Sequence, residues 1–103
     1  MRKPSIALDH LVVATDNLVD GAQYLEDKFG VAPDAGGRHD GWGTHNLLIS
    51  VGSGTYLELI APDPQQPAPS RPRAFGLDNT QLRERIAVRP RLVHFLTRTN
   101  DIA

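Results

Sequence analysis

Two stretches near opposite ends of this chain read as one strand written twice. Leu8-Asp9-His10-Leu11-Val12-Val13-Ala14-Thr15 returns as Leu92-Val93-His94-Phe95-Leu96-Thr97-Arg98-Thr99, with Leu8/Leu92, His10/His94 and Thr15/Thr99 each 84 positions apart. Leu18 and Ile102 keep the same offset as an apolar pair. Self-similarity in a fixed register marks a repeated structural unit. The second copy stops after its first strand, so one full unit and the opening of another are expected. The repeat also sets a histidine at the same place on two equivalent strands.

Between the copies the chain reads as strand, helix and then strands. Residues 6–15 are rich in β-formers, and alternation gives Leu8, His10, Val12 and Ala14 one face and Asp9, Leu11 and Val13 the other. Asn17 can cap a helix over about 17–29, with Asp20 near the positive end of its dipole. Leu18, Ala22, Leu25 and Phe29 form its apolar stripe, Gly30 suits a left-handed terminator, and Pro33 prevents resumption. The glycine-dense stretch 34–44 predicts a short strand or irregular edge and a tight turn at Gly41-Trp42-Gly43. Strands follow at 45–51 and 55–60, joined by a Gly52-Ser53-Gly54 hairpin turn. Five prolines between 61 and 73 predict a stiff joint between units. A short helix at 78–87, with Leu82 and Ile86 on one side, ends at Pro90, and the repeated strand closes the chain at 91–99.

Composition narrows the function classes. The net charge is −1, and the Arg-containing stretch 71–73 is interrupted by Pro72, so nucleic acid is not an expected partner. Cysteine is absent, which removes disulfides, thiolate ligands and thiol nucleophiles, and suits a cytoplasmic setting. The basic start Met1-Arg2-Lys3 is followed by an apolar run broken by Asp9 and His10, and no segment has the length to span a membrane.

Three residues invite chemistry. His10 and His94 sit in mid-strand, and either alone reads as a buried histidine satisfied by a backbone carbonyl. Glu58 lies inside Tyr-Leu-Glu-Leu-Ile, a costly place for a carboxylate unless a positive or protonated group faces it or the slot opens to solvent. Together, two imidazoles and one carboxylate from three strands can form a facial set on a divalent metal, with positions left for water or a substrate bearing two oxygens. Ligands without sulfur suit iron(II), manganese, nickel, cobalt or zinc. Tyr56 shares a strand face with Glu58 and either lines the same cavity or packs in the core. His39, Trp42 and His45 form a local cluster, a weak metal signal and a plausible pocket mouth with Trp42 as lid or packed anchor.

His10 in Leu-Asp-His-Leu-Val-Val, the capped helix, and the run from Gly37-Arg38-His39-Asp40-Gly41-Trp42 to Tyr56-Leu57-Glu58-Leu59-Ile60-Ala61-Pro62 resemble a glyoxalase-like domain of the vicinal oxygen chelate superfamily. Glyoxalase I, ring-cleaving extradiol dioxygenases, epimerases and antibiotic-sequestering proteins share that superfamily. The resemblance implies an α+β fold. One βαβββ module would span 6–62, a linker with a short helix 63–90, and the first strand of a second module would begin at 91–103. It implies metal ligation by His10, Glu58 and His94, with Glu58 as ligand or, if displaced, as proton-transfer base; Trp42, His45 and Tyr56, from their places in the sequence, are the residues expected toward the substrate. The fourth ligand of metal-dependent members would lie in the last strand of a second module. The implied activity is that of a metal-dependent lyase, isomerase or dioxygenase acting on adjacent oxygens. The alternatives are a metal-free binding or sequestering module and a non-catalytic fragment. A lone module leaves a sheet edge and face uncovered, so a homodimer is expected.

Overall fold

The computed structural model describes residues 6–52 and 54–99. Strand β1 (Ile6–Ala14) leads into helix α1 (Leu18–Phe29), followed by β2 (Ala35–His39), β3 (Thr44–Gly52) and β4 (Thr55–Pro62). A 3₁₀ turn at Ala74–Gly76, helix α2 (Thr80–Val88) and strand β5 (Arg91–Thr99) complete the order. The five strands form one sheet in the order β2-β3-β4-β1-β5. Only β1 and β4 are parallel; every other pair is antiparallel. The chain is therefore α+β, a βαβββ module whose first strand is also flanked by β5. Ser53 of the expected hairpin turn, and Ile102 of the expected apolar pair, lie outside the described residues.

Helix α1 begins and ends where its caps dictate. The Asn17 side chain accepts the Asp20 N–H at 3.1 Å, and Gly30 takes a left-handed φ of 68° while its N–H donates to the Glu26 carbonyl. Gly21 lets the helix pass close over the end of β1: a Cβ there would stand 2.6 Å from the Thr15 hydroxyl. The apolar stripe packs through Leu18, Ala22 and Leu25 onto Val13, Ile49, Leu57 and Leu59. Phe29 departs from the expected stripe. It is 68% exposed, because the last turn of the helix overruns the buried cluster.

The opposite face of the sheet carries a second core. Val12, Ala14 and Ile60 are buried there beneath Leu77 and Ile86. The proline-rich segment expected as a joint is thus folded back onto the sheet, and Asp63 pins its start. The Asp63 N–H donates to the Gly43 carbonyl at 2.9 Å, and the carboxylate accepts from the Gln65 N–H and the Gln66 amide, both at 2.9 Å. Gln66 also donates to the Thr44 carbonyl at 3.0 Å, and Arg73 Nε donates to the Gly43 carbonyl at 2.9 Å.

Two expectations follow. Leu59→Ala should cost about 2–5 kcal/mol in urea unfolding, as a fully buried leucine does, whereas Phe29→Ala should stay within about 0.5 kcal/mol. The Gln66 amide first, and the Gln65 N–H second, hold the Asp63 carboxyl below its ordinary 3.8. A depressed carboxyl contributes stability that is present above its unfolded pKa and lost as pH falls through the lower folded value. Stability measured by denaturant melts should therefore drop as pH falls below about 4, and Asp63→Asn should flatten that drop while lowering stability at neutral pH.

Candidate active site

The parallel register between β1 and β4 pairs His10 with Tyr56, Val12 with Glu58 and Ala14 with Ile60. Alternation then turns Tyr56, Glu58 and Ile60 to the same face as His10, Val12 and Ala14. His10 Nε2 lies 3.6 Å from Glu58 Oε1, with the two side chains only 11% and 13% exposed. The His10 ring stacks on Tyr56 with centroids 4.6 Å apart and planes inclined by 9°.

The far nitrogen of His10 is held by its neighbour in sequence. Nδ1 lies 2.7 Å from Asp9 Oδ2. On a regular strand these two side chains would point to opposite faces, as the sequence predicts. The β1/β5 register shifts between Leu8 and His10, leaving Asp9 as the extra residue of a bulge, and a bulge re-aims its side chain. Arg98 holds the other Asp9 oxygen at 3.3 Å. The His10 hydrogen bond, followed by that of Arg98, keeps the Asp9 carboxyl below its ordinary value against the opposing effect of desolvation. An ionised Asp9 only accepts, so Nδ1 carries the proton, and in the neutral ring the Nε2 lone pair faces Glu58.

Glu58 is steadied from the other side. Its Oε2 accepts the Asn46 amide at 2.8 Å, and His39 Nε2 stands 4.0 Å away. The second His39 nitrogen pairs with the Thr44 hydroxyl at 2.7 Å. Asn46 and Thr44 share this face because β3 pairs Asn46 with Ile60 and Leu48 with Glu58, and β2 brings His39 opposite Thr44. An open cavity of about 510 Å³ lies over this face, lined by Glu58, His39, Trp42, Phe75 and Ile60 among others. Trp42, half exposed, forms its rim, with the Arg71 guanidinium 5.2 Å from its ring centroid. Desolvation first, then the charges of Asp9 and Glu58, raise the Tyr56 phenol above its ordinary value.

Two expected site residues lie apart. His45 points to the opposite face, where its Nδ1 is 3.8 Å from Asp63, because it is one step out of phase with Thr44 and Asn46. His94 shares the face of His10, yet it sits opposite Val12 and its ring lies 5.5 Å from that of Phe75. Among the described residues no three histidine and carboxylate side chains gather as a metal-holding group. Asp9, Asn46 and Phe75 thus border a site that sequence reasoning built from His10, Glu58, Tyr56, Trp42 and the pocket-mouth residue His39. Period-two alternation on β3 could have pointed to Asn46; the bulge that turns Asp9 has no local signal.

The His10–Glu58 pair fits a divalent ion. His10 Nε2 and Glu58 Oε1 are 3.6 Å apart, within the span of two donors that each lie about 2.0–2.2 Å from one ion. A carboxylate behind the imidazole is the usual partner of a histidine ligand.

Solved structures place the architecture. Over 92% of its length the chain resembles methylmalonyl-CoA epimerase from Mycobacterium tuberculosis, at 21% identity and a TM-score of 0.59. A methylmalonyl-CoA epimerase from Streptomyces coelicolor, in complex with 2-nitronate-propionyl-CoA, matches 86% of the chain at 16% identity and a TM-score of 0.54. A variant of 4-hydroxymandelate synthase from Streptomyces coelicolor matches 89% at 18% identity and 0.57. The chain spans 56% and 57% of the two epimerase chains and 26% of the synthase. No curated protein matches it in sequence. The family profile of the glyoxalase-like domain matches residues 8–103, and this protein belongs to that family.

Proposed function

We propose that this domain serves a metal-dependent small-molecule enzyme of the lyase, isomerase or dioxygenase kind, acting on a substrate with adjacent oxygens. The observation that supports it is the approach of His10 Nε2 to Glu58 Oε1 at 3.6 Å, where Glu58 lines an open cavity and each side chain is held from behind by a second polar group. His10, Glu58 and, from β5, His94 are the proposed ligands. A divalent ion bound there supplies Lewis-acid polarisation of substrate oxygens.

The remaining chemistry belongs to the protein. Asp9 fixes the tautomer and tilt of His10. Asn46 orients the Glu58 carboxylate, which serves as ligand or, if displaced from the ion, as the base that accepts a proton from the substrate. Trp42, Phe75 and Ile60 exclude water from one side of the bound molecule, and Tyr56 supports His10 from below. The structural likeness to epimerases favours a proton-transfer reaction among the three classes. A second reading, a metal-free binding module, draws support from the largely apolar cavity wall.

Residues 6–62 make up the proposed module, 63–90 the connection, and 91 onward the start of a second unit. Strand β5 ends the sheet, and Leu92 and Phe95 on it are 62% and 59% exposed, which supports association as a homodimer.

Three measurements test these proposals. Protein purified without chelator should take up one divalent ion per chain, and His10→Ala or Glu58→Ala should abolish uptake with little change in melting temperature. Asp9→Asn should weaken affinity by about 10–100-fold, the usual effect of losing a group behind a ligand. No uptake by the unaltered chain, combined with a melting shift on adding an apolar ligand, would select the metal-free module. Sedimentation at micromolar concentration should give a dimer, and Phe95→Lys should shift it toward monomer.

A further inference from the structure

Phe75 is the one non-glycine residue with positive φ among the described residues, at φ 59° and ψ 24°. A bulky side chain in the left-handed region is an outlier that persists only when its surroundings impose it. Those surroundings are informative. Phe75 borders the cavity that holds Glu58, packs against the buried cluster of Val12, Ala14, Ile60, Leu77 and Ile86, and lies against the His94 ring.

The strand register shows what this contact does to His94. Glu58, Val12 and His94 occupy one rung across β4, β1 and β5, with both outer residues paired to Val12. Two strand spacings separate Glu58 from His94, about 10 Å between backbones, and His10 lies two residues along the central strand on the same face. His94 therefore flanks the His10–Glu58 pair, with the small Val12 side chain beneath the gap. Neither ring nitrogen of His94 has a hydrogen-bond partner among the described residues; its neighbours are the rings of Phe75 and Phe95, at 5.5 and 6.2 Å.

We propose that Phe75 is a positioning residue that holds His94 away from the His10–Glu58 pair, and that residue 75 leaves the left-handed conformation when His94 joins them on a metal ion. The inference rests on the metal-site reading above and adds a residue to it. Ion binding would then have to overcome the contact of Phe75 with His94, and the release of backbone strain would partly offset that cost.

Cobalt(II) titration followed by visible absorption tests this, because the spectrum reports the number of donors as well as affinity. Phe75→Ala removes the ring, Phe75→Gly also relieves the backbone, and Phe75→Leu keeps apolar packing should either of the others fail to fold. Each is compared with the unaltered chain, alone and combined with His94→Ala, after melting curves establish that it is folded. The expected result is about tenfold tighter cobalt binding in folded Phe75→Ala, the scale of one ring contact removed, a smaller gain in Phe75→Gly, which has no backbone strain left to release, and loss of either gain in the His94→Ala background. Cobalt binding that ignores residue 75, or a gain that survives without His94, would overturn the role of Phe75 and leave the His10–Glu58 site standing. Absence of cobalt binding in every folded variant would overturn both.

Discussion

The parallel pairing of β1 with β4 is the constraint from which core and site both follow. Its register sets Leu57 and Leu59 against helix α1 and leaves Tyr56, Glu58 and Ile60 on the opposite face with His10, Val12 and Ala14. A slip of one residue in β4 would exchange these sets, since successive side chains alternate. Glu58 would then enter the dry layer beneath α1, where an unpaired carboxylate is expensive, and two leucines would face the cavity. The burial of Leu59 and the position of Glu58 are thus one decision. This ties Glu58 and His10 to the strand pairing itself.

Much of this arrangement was legible in the residues. The Asn17 and Gly30 caps delimit α1, and alternation alone assigns Tyr56 and Glu58 to one face. Helical periodicity identifies the buried stripe but says nothing about where the underlying sheet ends, which is why Phe29 reads as core and lies exposed. The same limitation governs His39 and His45. They are close in sequence, yet only the β2/β3 pairing shows that His39 stands over Glu58 while His45 turns toward Asp63. Asp9 is the least legible of all. Its partnership with His10 depends on a bulge created by β5, a strand more than 75 residues away in sequence.

The proline-rich stretch illustrates a different limit. Composition marks it as stiff and irregular, and it is, but stiffness does not make it a free joint. Asp63, Gln66 and Arg73 fasten it to the Gly43–Thr44 backbone, and Leu77 and Ile86 then cover Val12, Ala14 and Ile60. Gly43 permits this. It has a left-handed φ of 71°, and a Cβ there would stand 2.8 Å from Pro69 and 2.9 Å from Arg73. The segment closes one end of the face and, through Phe75, supplies a wall of the cavity.

The internal repeat explains why the two histidines differ. With an offset of 84, Leu96 is the counterpart of Val12 and His94 the counterpart of His10. The observed pairs, His10 with Leu96 and Val12 with His94, map onto each other when the copies are exchanged. The two strands therefore meet about a local twofold axis that turns both histidines to one face. Their surroundings break the symmetry. The counterpart of Asp9 is Val93, which packs against the buried cluster and offers no acceptor for a ring nitrogen. His10 is stacked on Tyr56 and tied to Asp9, so its free nitrogen is aimed before anything binds. His94 has no such tie among the described residues and lies beside the rings of Phe75 and Phe95. A repeated strand has thus delivered two imidazoles to one surface, one orientated by a carboxylate and one packed beside the rings of Phe75 and Phe95.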